Sequence, residues 1–266
     1  MLISVIVPLY HGKKYISDIL EMMDNNLREE NSNFEIELIF VNDCPDELIT
    51  ENDIQICDRI NPILLFNDKN CGIHYSRVKG LNKAHGEYIL FFDQDDKIRN
   101  DYFESQLKHI GKADVVVANG IAQYPEYDKM LYRYWFMQWT VKHIWFYAKF
   151  DCRIISPGQC LIKRECIPAV WKEKILENNG ADDYFLWLLL LSLGAKFDIN
   201  RDKLYTHVYT SMNSSLDNDK MIQSVKEILN KQQGIPRKYY DMIEKRILQE
   251  KKLGIVRLAE RINRMN

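Results

Sequence analysis

The chain is poor in residues that interrupt regular structure: of 266 residues only 11 are Gly and 7 are Pro, and no stretch is of low complexity. With 46% of residues hydrophobic, collagen-like and disordered classes are excluded. Long hydrophobic runs are also missing. The longest, Tyr184 to Leu191, has eight residues, against the roughly 20 a helix needs to cross a bilayer. No CxxC pair occurs among Cys44, Cys57, Cys71, Cys152, Cys160 and Cys166, which points to a reducing cytosol. The N-terminus has no basic stretch before its apolar run, which soon meets Pro8, so a first strand is expected there and not a signal peptide. Net charge is almost absent at −2, and nothing global attracts nucleic acid. That sum conceals an asymmetry. Residues 237–266 carry nine Lys/Arg against four Asp/Glu, a net of +5, which leaves −7 for the rest.

What is present is an alternation of elements. LISVIVPLY has the β-branched content of a strand, and Ile16, Ile19, Leu20 and Met23 then form a helical stripe. EIELIFVND, PILLFN, YILFFDQDD and DVVVAN are expected to be further strands. IHYSRVKGLNKA between them is expected to be a helix, with Gly86 in the left-handed position past its end. Strands and helices alternating over about 120 residues predict a largely parallel α/β sheet covered on both faces. The second half is less regular. Tyr132 to Phe150 is dense in aromatics interrupted by Arg133, Gln138, Lys142, His143 and Lys149. Most of its rings are expected to pack over the sheet, a sugar acceptor or lipid interface being the alternative. ISPGQCLIKRECI predicts a turn and a short strand, GADDYFLWLLLLSLG a helix closed by Gly194, and AKFDI and KLYTHVY two short strands. From about residue 217 the pattern is helical, with a joint at Gly234-Ile235-Pro236.

Sheets of this kind bind ligands beyond the carboxyl ends of their strands. Those ends are Pro8-Leu9-Tyr10, Asn42-Asp43, Asn67 to Gly72, and Asp93-Gln94-Asp95-Asp96. Asp93, Asp95 and Asp96 suit a hard divalent ion that keeps positions open for phosphate. The competing role is a cap, from Asp96 or Asn100, on the helix through Leu107. Asp43 is either an acceptor for a base or ribose, or a simple turn aspartate. Asn70 can cap, Gly72 permits close backbone approach, and Arg77 one turn later can reach an anion. His207 either faces a metal or diphosphate or is a satisfied structural histidine. Asn213-Ser214-Ser215 is a glycosylation sequon, irrelevant in a cytosolic chain. Ile255, Leu258, Ile262 and Met265 share a helical face, with Arg257, Arg261 and Arg264 elsewhere around it. That pattern suits a helix on anionic lipid or a docking helix, and equally a solvated helix or an oligomer contact.

SVIVPLYHGKKYI, IFVNDCPDE and NDKNCGIHYSRVKGLNKAHGEYILFFDQDD together resemble the successive blocks of the family 2 glycosyltransferases, inverting enzymes of the GT-A fold that use nucleotide-diphosphate sugars. The likeness is continuous over about residues 2–120, resumes at PGQCLIKRE and ADDYFLWLLLLSLG, and fades beyond about 210. It implies a GT-A, Rossmann-like, mixed but mostly parallel sheet with helices on both faces. The expected transferase domain is 1–215, with a nucleotide half to about 120 and an acceptor half after it, followed by a basic helical extension at 216–266.

By position, the resemblance implies that Pro8, Leu9 and Tyr10 frame the nucleotide base and that Asp43 accepts from its ring. Asn70, Gly72 and Gln94 fall in the nucleotide-sugar blocks, and Arg77 approaches base and diphosphate. Asp93 is expected near the ribose and Asp95 near a divalent cation, Mn²⁺ or Mg²⁺, with Asp93 and His207 as further candidate ligands. Asp182-Asp183 occupy the family's Glu-Asp, whose second carboxylate is the general base. Without the resemblance, capping of the Leu-rich helix is an equal reading of that pair. A base at a helix start is expected to stay ionised at neutral pH. Departures from the pattern are His11 for Asn, Cys44-Pro45 for Gly-Ser, Ser76 for Ala, and no Arg in the third turn after Asp183.

The function so implied is metal-dependent inverting transfer from a UDP-sugar to a glycan or lipid-linked acceptor, in bacterial capsule, exopolysaccharide or other surface-glycan synthesis. The expected place is the cytoplasm, at the inner face of the membrane, with self-association left open. One competing function is a sugar nucleotidyltransferase, which needs a Gly-rich loop and a following Lys after the first strand, where PLYHGKKY offers only Gly12. Another is a catalytically silent nucleotide-sugar-binding scaffold.

Overall fold

A computed structural model describes residues 1–28, 33–54, 59–150, 152–209, 218–231 and 234–249. The opening β-branched run forms β1 (Leu2–Leu9), buried along nearly its whole length because it lies inside the sheet. It is followed by α1 (Ile16–Asn26), β2 (Glu35–Asn42), α2 (Glu51–Ile54), β3 (Ile63–Phe66), α3 (Ile73–Lys83) and β4 (Tyr88–Phe91). The middle of the chain gives β5 (Lys97–Ile98), α4 (Tyr102–Ile110), β6 (Val115–Gln123), β7 (Asp128–Met130), α5 (Trp135–Trp139) and α6 (Ile144–Phe150). Then come β8 (Cys160–Lys163), α7 (Ala169–Glu173), α8 (Asp182–Ser192), β9 (Phe197–Val208) and α9 (Asn218–Lys231), with a last helix at 237–249.

Among the described residues the strands form one sheet in the order β3-β2-β1-β4-β8-β6-β9-β5, with β7 paired to β6. The first four in this order are mutually parallel. β8 is antiparallel to both β4 and β6, so β6 points the same way as β4, and β9 runs parallel to β6. The sheet is therefore mixed but mostly parallel, as expected, and the carboxyl ends of β1, β2, β4 and β6 meet at one edge. One apolar layer holds α1 and α4 against the sheet. The other holds Val78 and Leu81 of α3, the whole of α8, and Val225, Ile228, Ile243 and Ile247 of the last two helices. Covered on both sides, α8 is apolar all round, and Gly194 closes it in the left-handed region at φ +86°.

Three expectations and one competing reading, the Asp96 or Asn100 cap, are corrected. Gly86 is not left-handed; a Cβ there would stand 2.5 Å from the Ser4 backbone nitrogen, so glycine is needed for close approach to β1. AKFDI and KLYTHVY are one strand, β9, continued through a bulge opposite Ala118 to Gly120, which is why the polar residues between them look like a break. Neither Asp96 nor Asn100 caps α4, whose N-cap is Asp101 with no side-chain bond. The aromatic stretch splits into α5, a 3₁₀ turn and α6. It buries Tyr132 and Tyr147 but leaves Tyr134, Trp135, Phe136, Trp139 and Trp145 exposed. The sequon and the tail face from Ile255 to Met265 lie outside the described residues.

Candidate functional site

Residues at four strand ends are joined by hydrogen bonds into one constellation. At the end of β1, the Gln94 side chain clamps Tyr10 from both sides: Tyr10 N–H donates to Gln94 Oε1 at 2.9 Å, and Gln94 Nε2 donates to the Tyr10 carbonyl at 3.0 Å. Pro8 and Leu9 lie in the buried strand end, while the Tyr10 ring is exposed. The next residues are held from β2's side, because Gly12 and Lys13 both donate backbone N–H to Glu47 Oε2, at 2.8 and 3.1 Å. These donors are spent on a carboxylate, which removes the phosphate cradle a nucleotidyltransferase would place here.

His11 adopts φ +48°, a region that Asn, Asp and His tolerate better than other side chains. Its Nδ1 is 3.5 Å from Cys44 Sγ. Two departures from the family pattern thus touch each other.

Asp43, at the end of β2, is buried and faces the start of α3. Its Oδ1 accepts from Asn67 Nδ2 at 2.8 Å and Cys71 N–H at 2.7 Å, and its Oδ2 accepts from Gly72 N–H at 2.8 Å. Of about four acceptor positions on a carboxylate, one is left. Asn70 Oδ1 also accepts from Gly72 N–H, at 3.2 Å. Gly72 has φ +88°, and a Cβ on it would meet Asn179 Oδ1 at 2.5 Å, so conformation and space both require glycine.

Arg77, one turn into α3, is buried between two carboxylates. Nη1 donates to Asp182 Oδ2 at 2.7 Å and Nη2 to Asp93 Oδ1 at 2.5 Å, while Nε is buried without a partner among the described residues. Burial opposes the charge on Arg77, but the Asp182 and Asp93 carboxylates outweigh it and hold its pKa above the ordinary value. Likewise burial works to raise the Asp182 pKa, and the Arg77 charge reverses this and holds it low. The guanidinium is therefore a bridge between the ends of β4 and the start of α8.

The aspartates after β4 divide their work. Asp93 Oδ2 accepts from Ser156 Oγ at 2.9 Å, so both its oxygens are engaged. Asp96 is buried and accepts from the Tyr205 hydroxyl, from Val208 N–H at 2.9 Å and from His207 Nδ1 at 3.0 Å. The geometry orients the His207 ring by a carboxylate and leaves Nε2 available. Among the described residues no protein cation is bonded to the Asp95 side chain, and its pKa is pushed up to about 6 by burial first and then by the charges of Asp96 and Asp93. A half-buried carboxylate raised by neighbouring negative charge fits a hard cation held through one protein oxygen and ligand oxygens.

Asp183 is partly exposed at the first turn of α8, its Oδ1 accepting from Tyr184 N–H at 2.6 Å. Its pKa is pushed up to about 7, by burial first and by the adjacent Asp182 charge second. The expectation of an anion kept ionised by the helix start is corrected: desolvation and a like charge outweigh the helix dipole, whose effect on an exposed group is about 0.3–1 kcal/mol.

Sequence reasoning missed Glu47, Ser156, Asn179 and Tyr205. Each acts across a separation of dozens of residues, and only Ser156, just before Pro157-Gly158, sits in a recognisable capping context.

A mixed, mostly parallel sheet of this order with helices on both faces is the GT-A fold, and solved structures share that fold. Staphylococcus aureus TarS in complex with UDP-GlcNAc superposes with a TM-score of 0.66 at 16% identity, covering 91% of this chain and 70% of that one. The mannosyltransferase PcManGT from Pyrobaculum calidifontis, in complex with GDP-Man and Mn²⁺, gives 0.63 at 14% identity over 91% of this chain and 68% of that one. At these identities the likeness is one of fold.

The sequence profile of Glycosyl transferase family 2 matches residues 4–171, and the chain belongs to that family. The putative glycosyltransferase EpsH of Bacillus subtilis is 30% identical over 130 residues, which are 48% of this chain and 36% of that protein. The putative teichuronic acid biosynthesis glycosyltransferase TuaG of B. subtilis is 34% identical over 110 residues, 40% of this chain and 41% of that protein. The chain spans less than half the length of these curated relatives.

Proposed function

We propose that this chain transfers a sugar, with inversion, from a UDP-sugar to a glycan or lipid-linked acceptor in cell-surface polysaccharide synthesis, working at the cytoplasmic face of a membrane. The observation that carries this is the Arg77 bridge, which ties the donor-side Asp93 to Asp182, the immediate neighbour of Asp183. Tyr10 and the remaining acceptor position of Asp43 receive the base, Asn70 and Gly72 bound its loop, and Gln94 fixes the Tyr10 backbone. Asp95 would hold the divalent cation, with His207 Nε2 as a further ligand; Asp93 orients the neighbouring loop and the ribose side. Bound there, the cation offsets charge on the departing diphosphate. Asp183 takes the proton of the attacking acceptor hydroxyl.

TuaG's name supports the polysaccharide class, and the UDP-GlcNAc and GDP-Man complexes of the structural neighbours support a nucleotide-sugar donor. No helix among the described residues is long and apolar enough to cross a membrane.

Donor hydrolysis with and without Mn²⁺ tests the proposal. Asp95→Ala is expected to lose activity by about 10² or more at saturating Mn²⁺, since it removes the carboxylate that holds a charge-stabilising ion. Full activity of that variant in chelator contradicts the metal role. A second outcome is a pH profile: a base that is neutral below about 7 is functional only above it, so kcat/KM should rise through about pH 7 and level off. A flat profile from pH 5.5 to 8.5 contradicts a base with this environment.

A further inference from the structure

Five large rings crowd the surface between β7 and β8. Tyr134, Trp135, Phe136, Trp139 and Trp145 are between 40% and 58% exposed. Their ring contacts fall into two groups along the same segment. Tyr134 stacks on Phe136 with centroids 5.5 Å apart and Trp135 meets Phe136 edge-on, while Trp139 packs on His143 at 4.0 Å and Trp145 on Phe146 at 5.0 Å. The exposure is built in: Gln138, on the opposite side of α5, is buried with its amide donating to the Val117 and Asn200 carbonyls at 3.0 and 2.7 Å. That pins α5 to the sheet and presents its rings outward. None of these rings belongs to the site described above, and contiguous apolar patches on soluble proteins mark interaction surfaces.

Two observations choose the occupant. The first is charge: from Tyr132 to Phe150 the chain has no Asp or Glu, and although Lys142 is paired with Asp198 at 2.8 Å, Arg133 and Lys149 add positive charge beside the rings. Arg133 lies over the Tyr134 ring, 5.5 Å from its centroid. Trp and Tyr flanked by cations are the side chains that settle at the headgroup level of a bilayer. The second is where the chain leads. In the last helix Arg246 donates to the Tyr147 carbonyl of α6 at 3.1 Å, so that helix, which carries Arg237, Lys238, Lys245 and Arg246 against Asp241 and Glu244, packs beside the aromatic segment. The 17 residues that follow hold five Lys/Arg and two Glu. The aromatic face and a helix of net positive charge therefore lie side by side.

We propose that the aromatic face around Trp135, Trp139 and Trp145 is a membrane-docking surface that seats in the headgroup region of an anionic bilayer. It deepens the membrane-surface part of the proposed function, yet uses residues outside the active site, so each can fail without the other. Ring burial supplies apolar attraction, and the neighbouring basic segment adds about 1 kcal/mol per Lys or Arg near an anionic surface.

Intrinsic fluorescence tests it on the full chain. Of the five tryptophans, Trp171 and Trp187 are completely buried, so quenching by brominated lipid reports only on Trp135, Trp139 and Trp145. With phosphatidylglycerol vesicles the protein is expected to co-float and its emission to be quenched by brominated chains, with much weaker binding to phosphatidylcholine. Trp135→Ala/Trp139→Ala/Trp145→Ala is expected to weaken flotation about tenfold or more, with donor hydrolysis in solution unchanged. Three results would overturn the proposal: no flotation on anionic vesicles, flotation without bromolipid quenching, or an undiminished triple variant. So would finding that the rings are instead covered by a soluble glycan or by a second copy of the chain, seen as quenching by oligosaccharide or as a dimer that the triple variant abolishes.

Discussion

Asp183→Asn is expected to lower the turnover of donor and acceptor by about 10²–10⁴ while leaving donor affinity within a few-fold. The substitution keeps the shape of the side chain and its acceptor for Tyr184 N–H, so α8 should start as before. What it removes is the basic oxygen. If Asp183 served only the helix start, the substitution would cost at most about 1 kcal/mol of stability and nothing in rate. A single comparison of kcat with the thermal midpoint separates the two roles. The group's raised pKa sharpens the expectation: a carboxylate near 7 retains more driving force for accepting a proton than one at its usual value, at the cost of being partly neutral below pH 7.

Arg77→Met is expected to be the most destabilising substitution in the site. It leaves Asp182 buried and Asp93 half-buried without the cation that both carboxylates face. Removing one member of a buried ion pair costs on the order of 3–5 kcal/mol, a fall of about 10 °C in the thermal midpoint for a chain of this size. Asp182→Asn in the same background should recover part of the loss, because the uncompensated charge goes with it. The variant should also disturb Asp183, since Arg77 opposes the rise in its pKa. Where enough Arg77→Met folds to assay, its kcat/KM profile should therefore move to higher pH. A midpoint unchanged within 2 °C would mean that the bridge carries no stabilising charge balance.

The first half of the chain was legible because its signals are local. A β-branched run, a polar strand end and a helical stripe recur along the first 120 residues, and each strand end that those patterns located lies at the shared edge of the sheet. Gly72 was read as a position of close approach, and its φ and its contact with Asn179 give that reading a cause. Less was legible where a residue's role depends on a distant partner. Nothing near Asp96 in the chain announces Tyr205 and His207, which reach it from β9. Arg77 looked available to an anion because its two carboxylates come from β4 and α8, 16 and 105 residues away. The aromatic stretch misled for a related reason: ring-rich sequence is usually core, and only the polar anchor at Gln138 reveals which side of α5 faces the sheet.

The central claim, that a base at Asp183 drives displacement from the side of the sugar opposite the diphosphate, is tested most directly by the anomeric configuration of the product. The first-formed sugar from an α-linked UDP donor should be read by proton NMR before mutarotation scrambles it. The account predicts the β configuration, formed at a rate that Asp183→Asn suppresses. A first product of α configuration would contradict single displacement and with it the role assigned to Asp183.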